Sequence, residues 1–207
     1  MLDRERLARP SVEVAPLLLG ARLVSTVDDV LVAVEITEVE AYLGEHDPGS
    51  HAFRGLTERN RVMFGPAGHL YVYFTYGMHW CANVVTGTEG SASGCLVRAG
   101  RVVEGAEQAR QRRPAAARDR DLARGPARLA QALGITGTLG GHDLAHDPVR
   151  LELPDHPVTG FRTGPRVGVS GPGGDGDTYP WRYWVPGEPT VSAYRRSQPR
   201  KDRHGRH

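Results

Sequence analysis

Along this chain apolar and polar residues alternate with period two far more often than they follow a helical spacing. The clearest case is Val30 to Leu43. Its even positions Val30, Val32, Val34 and Ile36 are apolar, and Glu38, Glu40 and Tyr42 continue the same parity. In an uninterrupted strand all of them share one face. That face begins as core and ends in two carboxylates and a phenol. Arg22 to Thr26 is expected as the preceding strand, with Val27-Asp28-Asp29 turning between the two. His69 to Thr75 (HLYVYFT) and Met78 to Val85 (MHWCANVV) form a hairpin pattern with Tyr76-Gly77 at its tip. Gly94–Ala99, Val149–Leu153, Arg166–Val169 and Arg182–Val185 are further expected strands.

Helices are few. Ser11 to Leu19 is expected to start on a serine cap and to stop at Gly20. Val102 to Arg112 is a second candidate. Pro126 to Leu133 is a third, with Pro126 at the first helical position and Gly134 as stop. Residues 44–68 form a long Gly/Pro-punctuated loop, a length that in a compact domain usually serves function. Together these elements predict an α+β fold: a single compact domain with a curved, mainly antiparallel sheet, a protruding β-hairpin and a few flanking helices.

Composition narrows the picture. A chain of 207 residues suits one domain, here expected over 1–194, with a basic C-terminal tail at 195–207 expected to be disordered. The apolar run Ala15 to Leu19 is broken by Pro16, and the opening MLDRERLARP lacks an apolar segment, so neither a membrane span nor a signal peptide is expected. Cys81 and Cys95 make no disulfide framework, and a reducing cytoplasm is the expected location. Of 26 Lys and Arg residues the only lysine is Lys201. A Schiff base on a core lysine and a lysine-bearing phosphate loop are thereby excluded.

The net charge of +2 hides an uneven distribution. Residues 1–50 carry 4 basic and 10 acidic side chains, whereas residues 195–207 carry 6 and 1. Arg54, Arg59, Arg61, Arg98 and Arg101 form a central group that suits a polyanion. Arg110 to Arg128, interleaved with Asp119 and Asp121, is expected to be a solvated, ion-paired helix face.

Glu40 with Tyr42, and Tyr71 with Tyr73, are co-facial pairs; Tyr76 sits at a hairpin tip; His51 and Phe53 lie in the loop between. Rings that clamp a flat ligand, a carboxylate beside them and arginines for phosphates describe a pocket for an extruded nucleobase. Taken singly, Tyr71 is expected in sheet packing. His46, His51 and Asp47 do not follow a metal-ligand spacing, so no metal is expected.

The segment Glu38–Asn83 carries E-A-Y-L-G, R-N-R-x-M-F, G-x-L-Y-V-Y and Y-G-M-x-x-x-x-N in order. It closely resembles the alkyladenine, or 3-methyladenine, DNA glycosylases. The likeness continues through Leu96–Ala99, Gly125–Ile135 and Pro165–Val169, and so spans most of the chain. The resemblance implies roles. Glu40 matches the glutamate that activates the attacking water, and Arg98 the arginine that helps to hold nucleotide and water. Tyr42, His51 and Tyr73 match the residues that sandwich the flipped base, and Asn83 the one that hinders guanine's exocyclic amine. Tyr76 matches the side chain inserted into the duplex. It further implies a single α/β domain with no cofactor and, as partner, double-stranded DNA containing damaged purines; a monomer is expected. Arg59 and Arg61 are candidates for DNA backbone contacts. Without a lysine in residues 1–200 the expected nucleophile is water, which gives monofunctional action and an abasic product. A binding domain for damaged DNA or RNA without catalysis is the alternative, and the presence of Glu40 argues against it.

Overall fold

The computed structural model describes residues 2–75, 77–195 and 197. Tyr76 and nearly all of the basic tail therefore lie outside the described residues.

In chain order the elements are α1 (Arg4–Leu7), α2 (Ser11–Leu18), β1 (Arg22–Ser25), β2 (Val32–Tyr42), β3 (Leu70–Thr75), β4 (His79–Val85), β5 (Gly94–Glu104), α3 (Ala106–Arg112), α4 (Pro126–Ala132), β6 (Val149–Glu152), β7 (Arg162–Gly164) and β8 (Arg182–Trp184). The strands form one curled antiparallel sheet in the order β3-β4-β5-β2-β1-β6, with β8 pairing to β2 beyond the end of β1 and β7 outside it. The fold is the expected α+β domain, with β3 and β4 as its hairpin.

The helices depart from expectation in instructive ways. No side chain caps α2: its N-cap is Pro10, and the Ser11 hydroxyl instead donates to the Tyr42 carbonyl at 2.9 Å, tying the helix to the end of β2. Pro16 lies inside α2 and cannot donate to the Val12 carbonyl. The Tyr183 hydroxyl, 3.3 Å away, donates to that carbonyl in its place. The expected helix Val102–Arg112 is split. Val102 pairs with Val34 in β5, and the helix starts only after Gly105 at φ 71°. A Cβ at Gly105 would lie 2.0 Å from the Leu31 carbonyl oxygen, so the strand-to-helix corner requires glycine. Pro126 does open α4, and Gly134 at φ 70° follows its end. Arg166–Val169 is not a strand; Arg166 is fully buried there as a charged anchor.

The one-face reading of β2 also fails. Val32, Val34 and Ile36 belong to the main core, but so do Val39 and Ala41. The register against β5 slips between Ile36 and Glu38 and again between Glu38 and Val39. At these two slips one extra residue, Thr37, sits on β2 and one, Arg98, on β5; an earlier slip between Ala33 and Val34 leaves Val103 over on β5. A bulge reverses which parity faces inward. Glu38, Glu40 and Tyr42 are thereby turned away from the core that Val39 and Ala41 join. The core itself is closed by α2 and α4, whose Leu18 and Leu129 are fully buried, each contributing about 1.5–3 kcal/mol.

Candidate active site

The sheet register builds the site as a row. Tyr71 of β3 stands opposite Asn83 of β4, Asn83 opposite Leu96 of β5, and Leu96 opposite Glu40 of β2. All four line a cavity of about 450 Å³, within the range of small-ligand sites. The neighbouring Tyr73 pairs with Cys81, and both line the same cavity. Arg98, two residues beyond Leu96 on the bulged strand, joins them.

Glu40 is fully buried. Its Oε2 accepts from the Tyr42 hydroxyl at 2.8 Å and from Arg98 Nη1 at 3.2 Å, and its Oε1 accepts from the Val167 backbone N–H at 2.6 Å. A carboxylate can accept about four such bonds, so a direction remains for one further donor. Burial and the neighbouring Glu40 hold the Tyr42 phenol well above its usual range, which keeps it a donor. Burial alone would lower the Arg98 guanidinium, but Glu40 and Glu38 outweigh it and raise it. Glu38, also fully buried, accepts from Arg98 Nε at 3.0 Å, Arg182 Nε at 2.7 Å and the Ser192 N–H at 2.7 Å. Two carboxylates and two guanidiniums thus balance in charge beside the cavity.

The aromatic wall comes from the loop and the hairpin. The His51 ring meets Tyr73 edge-on at 4.5 Å between centroids, and His51 Nδ1 lies 3.2 Å from the Tyr71 hydroxyl. Burial, with Arg59 nearby, lowers the imidazole below its usual pKa, and burial raises both tyrosines. His51 is placed by Asn60, whose Nδ2 donates to the His51 and Gly55 carbonyls at 3.1 and 3.0 Å. The long loop is therefore pinned around its R-N-R motif. Tyr42 faces the cavity with Arg166 behind it, Cζ 4.5 Å from the ring centroid. Arg166 forms a bidentate pair with Asp47, both contacts at 2.6 Å, and both side chains are fully buried. Among the described residues no group of three or more His, Cys, Asp or Glu is placed to hold a metal ion.

The methylpurine-DNA glycosylase family profile matches residues 5–189. The chain belongs to the methylpurine-DNA glycosylase family. It is 54% identical to a protein of Streptomyces avermitilis over 207 residues, covering 98% of this chain and 95% of that one. It is 54% identical to one of Leifsonia xyli (93% and 92% covered) and 53% identical to one of Nocardia farcinica (87% and 85% covered). All three are provisionally named 3-methyladenine DNA glycosylase.

In this glycosylase the structure brings Glu40, Arg98, Tyr42, His51, Tyr73 and Asn83 to one cavity. Asn83 Nδ2 donates to the Tyr71 carbonyl at 3.0 Å, which orients its amide. Tyr71 packs in a small second core cluster and also lines the cavity. Arg59 and Arg61 are exposed outside the cavity. Arg59 Nη2 lies 3.5 Å from the Phe74 carbonyl, and Arg61 pairs with Glu58. Tyr76 falls outside the described residues, between strands β3 and β4. Arg110 is paired with Glu107 and Asp119, as a solvated helix face predicts. Sequence reasoning missed Val167 as a donor to Glu40, and the Asp47–Arg166 pair behind Tyr42. The one available signal was an arginine inside the motif P-R-V-G-V, in a stretch read as a strand.

Proposed function

We propose that the cavity is the lesion pocket and that Glu40 activates the water that cleaves the N-glycosyl bond there. The protein is a 3-methyladenine DNA glycosylase of base excision repair, a hydrolase acting on damaged DNA. The observation that carries the mechanistic reading is the Glu40 carboxylate, fully buried and accepting from Tyr42, Arg98 and Val167. Its remaining acceptor direction takes the water's proton as positive charge builds on the sugar. Arg98 fixes the carboxylate's orientation. Tyr42, His51 and Tyr73 offer ring faces to the extruded base. A cationic alkylated purine gains roughly 0.5–2 kcal/mol per such contact, and its weakened pairing lowers the cost of extrusion. A neutral His51, favoured by its lowered pKa, adds no repulsion. Asn83 narrows the pocket against guanine's exocyclic amine. Tyr76 fills the gap in the duplex, and Arg59 with Arg61 contacts the phosphates. A monomer acting in the bacterial cytoplasm, without cofactor, suffices for this chemistry.

The decisive comparison is wild type against Glu40→Gln on methylated duplex. Wild type is expected to release base and leave strands that break only after alkali. The variant is expected to bind DNA but release none. Equal release by both removes Glu40 as catalyst, and strand nicking without alkali or a borohydride-trapped adduct removes water as nucleophile.

A further inference from the structure

Glu38 is a buried carboxylate that the chemistry at Glu40 does not use. It is fully buried yet lines no part of the cavity. A second carboxylate beside Glu40 is tolerated only where donors and positive charge surround it. Its Oε1 accepts from Arg98 Nε at 3.0 Å, Arg182 Nε at 2.7 Å and the Ser192 hydroxyl at 2.9 Å, and its Oε2 accepts from the Ser192 N–H at 2.7 Å. Ser192 therefore meets both carboxylate oxygens, from a segment that lies beyond the end of β8.

That segment runs as a strap along the bulge in β2. The Val185 N–H donates to the Thr37 carbonyl at 3.0 Å, and the Thr190 and Thr37 hydroxyls lie 2.9 Å apart. Arg124 Nε donates to the Val191 carbonyl at 3.0 Å, and Arg182 Nη2 to the Ser192 carbonyl at 2.7 Å. The Arg182 guanidinium itself rests on the Trp184 ring, 4.8 Å from its centroid. After Ser192 the Gly168 N–H donates to the Arg195 carbonyl at 3.3 Å. The strap is thus anchored before and after Ser192 by contacts that involve neither Glu38 nor Arg98.

What the strap fixes is Arg98. Arg98 Nε is bound to Glu38, its Nη2 donates to the Ser192 hydroxyl at 3.3 Å, and its Nη1 donates to Glu40 at 3.2 Å. A guanidinium is planar and rigid, so holding two of its nitrogens sets the direction of the third. The Ser192 hydroxyl has one hydrogen, which goes to Glu38, and it accepts from Arg98. It thereby bonds both members of the Glu38–Arg98 pair. The Nη1 edge is left to face Glu40, where Arg98 lines the cavity.

We propose that Ser192 is a positioning residue for base release: together with Glu38 it holds the Arg98 guanidinium at the angle that aims Nη1 at Glu40. The proposal rests on Glu40 being the group that activates water. Ser192 acts through Arg98 and not on the DNA, so its loss slows cleavage and spares binding.

The test measures single-turnover base release from methylated duplex at saturating enzyme, together with affinity for the same duplex, well below the Tm of every variant. Ser192→Ala is expected to slow release about tenfold, the equivalent of one charge-assisted hydrogen bond withdrawn from the transition state, with affinity within about twofold of wild type. Ser192→Thr, which keeps the hydroxyl, should restore release to within about threefold of wild type. Thr190→Val removes the strap's hydroxyl bond to Thr37 and touches neither Glu38 nor Arg98. It should lower Tm yet leave release within about twofold of wild type. In an Arg98→Lys background the rigid fork is gone, and Ser192→Ala should cost less than about twofold further. The role is overturned by Ser192→Ala releasing base at the wild-type rate, or by its affinity falling as far as its rate. It is equally overturned by Ser192→Thr staying as slow as Ser192→Ala, by Thr190→Val slowing release as much, or by additive losses in the Arg98→Lys background. Glu40→Gln on the same duplex separates the two readings. No release by Glu40→Gln beside wild-type release by Ser192→Ala removes the positioning role alone. Release by Glu40→Gln at the wild-type rate removes the water-activating role of Glu40, and the positioning role with it.

Discussion

Asp47→Asn tests whether the ion pair behind Tyr42 holds the pocket together. Arg166 Nη1 and Nη2 each contact an Asp47 oxygen at 2.6 Å, and donate also to the Ala41 and Gly173 carbonyls at 2.9 and 2.8 Å. Among the described residues Arg166 Nε has no hydrogen-bond partner, although it is buried. The neutral amide would leave a fully buried guanidinium without its counter-charge, a loss of about 3–5 kcal/mol. In a domain of this size that is about 6–20 °C in Tm. The damage should spread to chemistry. Arg166 covers one face of Tyr42, and the next residue, Val167, donates to Glu40. Base release by Asp47→Asn should therefore fall even well below its Tm. Thermal and urea unfolding followed by circular dichroism supply the stability, with Asp119→Asn as control. That exposed carboxylate binds Arg110 at 2.8 Å, and its loss should leave Tm unchanged, because exposed pairs are screened. The double variant Asp47→Asn/Arg166→Met should recover part of the loss by removing the stranded charge. An Asp47→Asn shift no larger than that of the exposed control would refute the reasoning.

Asn83→Ala should relax discrimination: release of unmodified guanine should rise relative to 3-methyladenine, and the lost bond to the Tyr71 carbonyl should cost about 1 kcal/mol. Quantifying released bases by chromatography decides it, and an unchanged ratio removes Asn83 from selectivity. His51 adds a pH dependence of known sign. Its folded pKa lies below 6.5, so the unfolded chain takes up the proton first, and stability is lost as pH falls from about 6.5 through the folded value. His51→Gln should lose less Tm than wild type on acidification from pH about 7.5 to 5.5; parallel losses contradict the assignment. Cys95 is buried outside the cavity lining, and burial raises its thiol, so a thiol reagent should label it only after unfolding. Rapid labelling of Cys95 in the native protein would contradict that burial.

Much of the fold was legible because it depends on local pattern. The hairpin β3–β4, Pro126 opening α4 and the strand bearing Glu40 follow from period and punctuation. The order of motifs gave the family, and the sheet explains their spacing. Tyr71, Asn83, Leu96 and Glu40 come from four strands yet meet in one row. The Val102–Arg112 boundary was missed because β5 runs on through Glu104, where pairing with β2 overrides the local preference.

The site itself was harder to read, for a physical reason. The donors to Glu40 lie 2, 58 and 127 residues away in sequence, and only the first is visible to a pattern of short period. The rule that made β2 recognisable also misassigned its faces. Strict alternation would leave Glu38, Glu40 and Tyr42 on the face of Val32, Val34 and Ile36, where a core has no water to solvate two carboxylates. The extra residues at Thr37 and Arg98 break the alternation on both strands. They keep Val39 and Ala41 in the core and turn Glu40 and Tyr42 toward the cavity, with Glu38 held beside it by Arg98 and Arg182. Arg98 is itself the extra residue on β5, and its guanidinium reaches both Glu38 and Glu40. The irregularity that defeats sequence reading is thus what places the cation between the two carboxylates. A strand obeying its own period could not have built this arrangement.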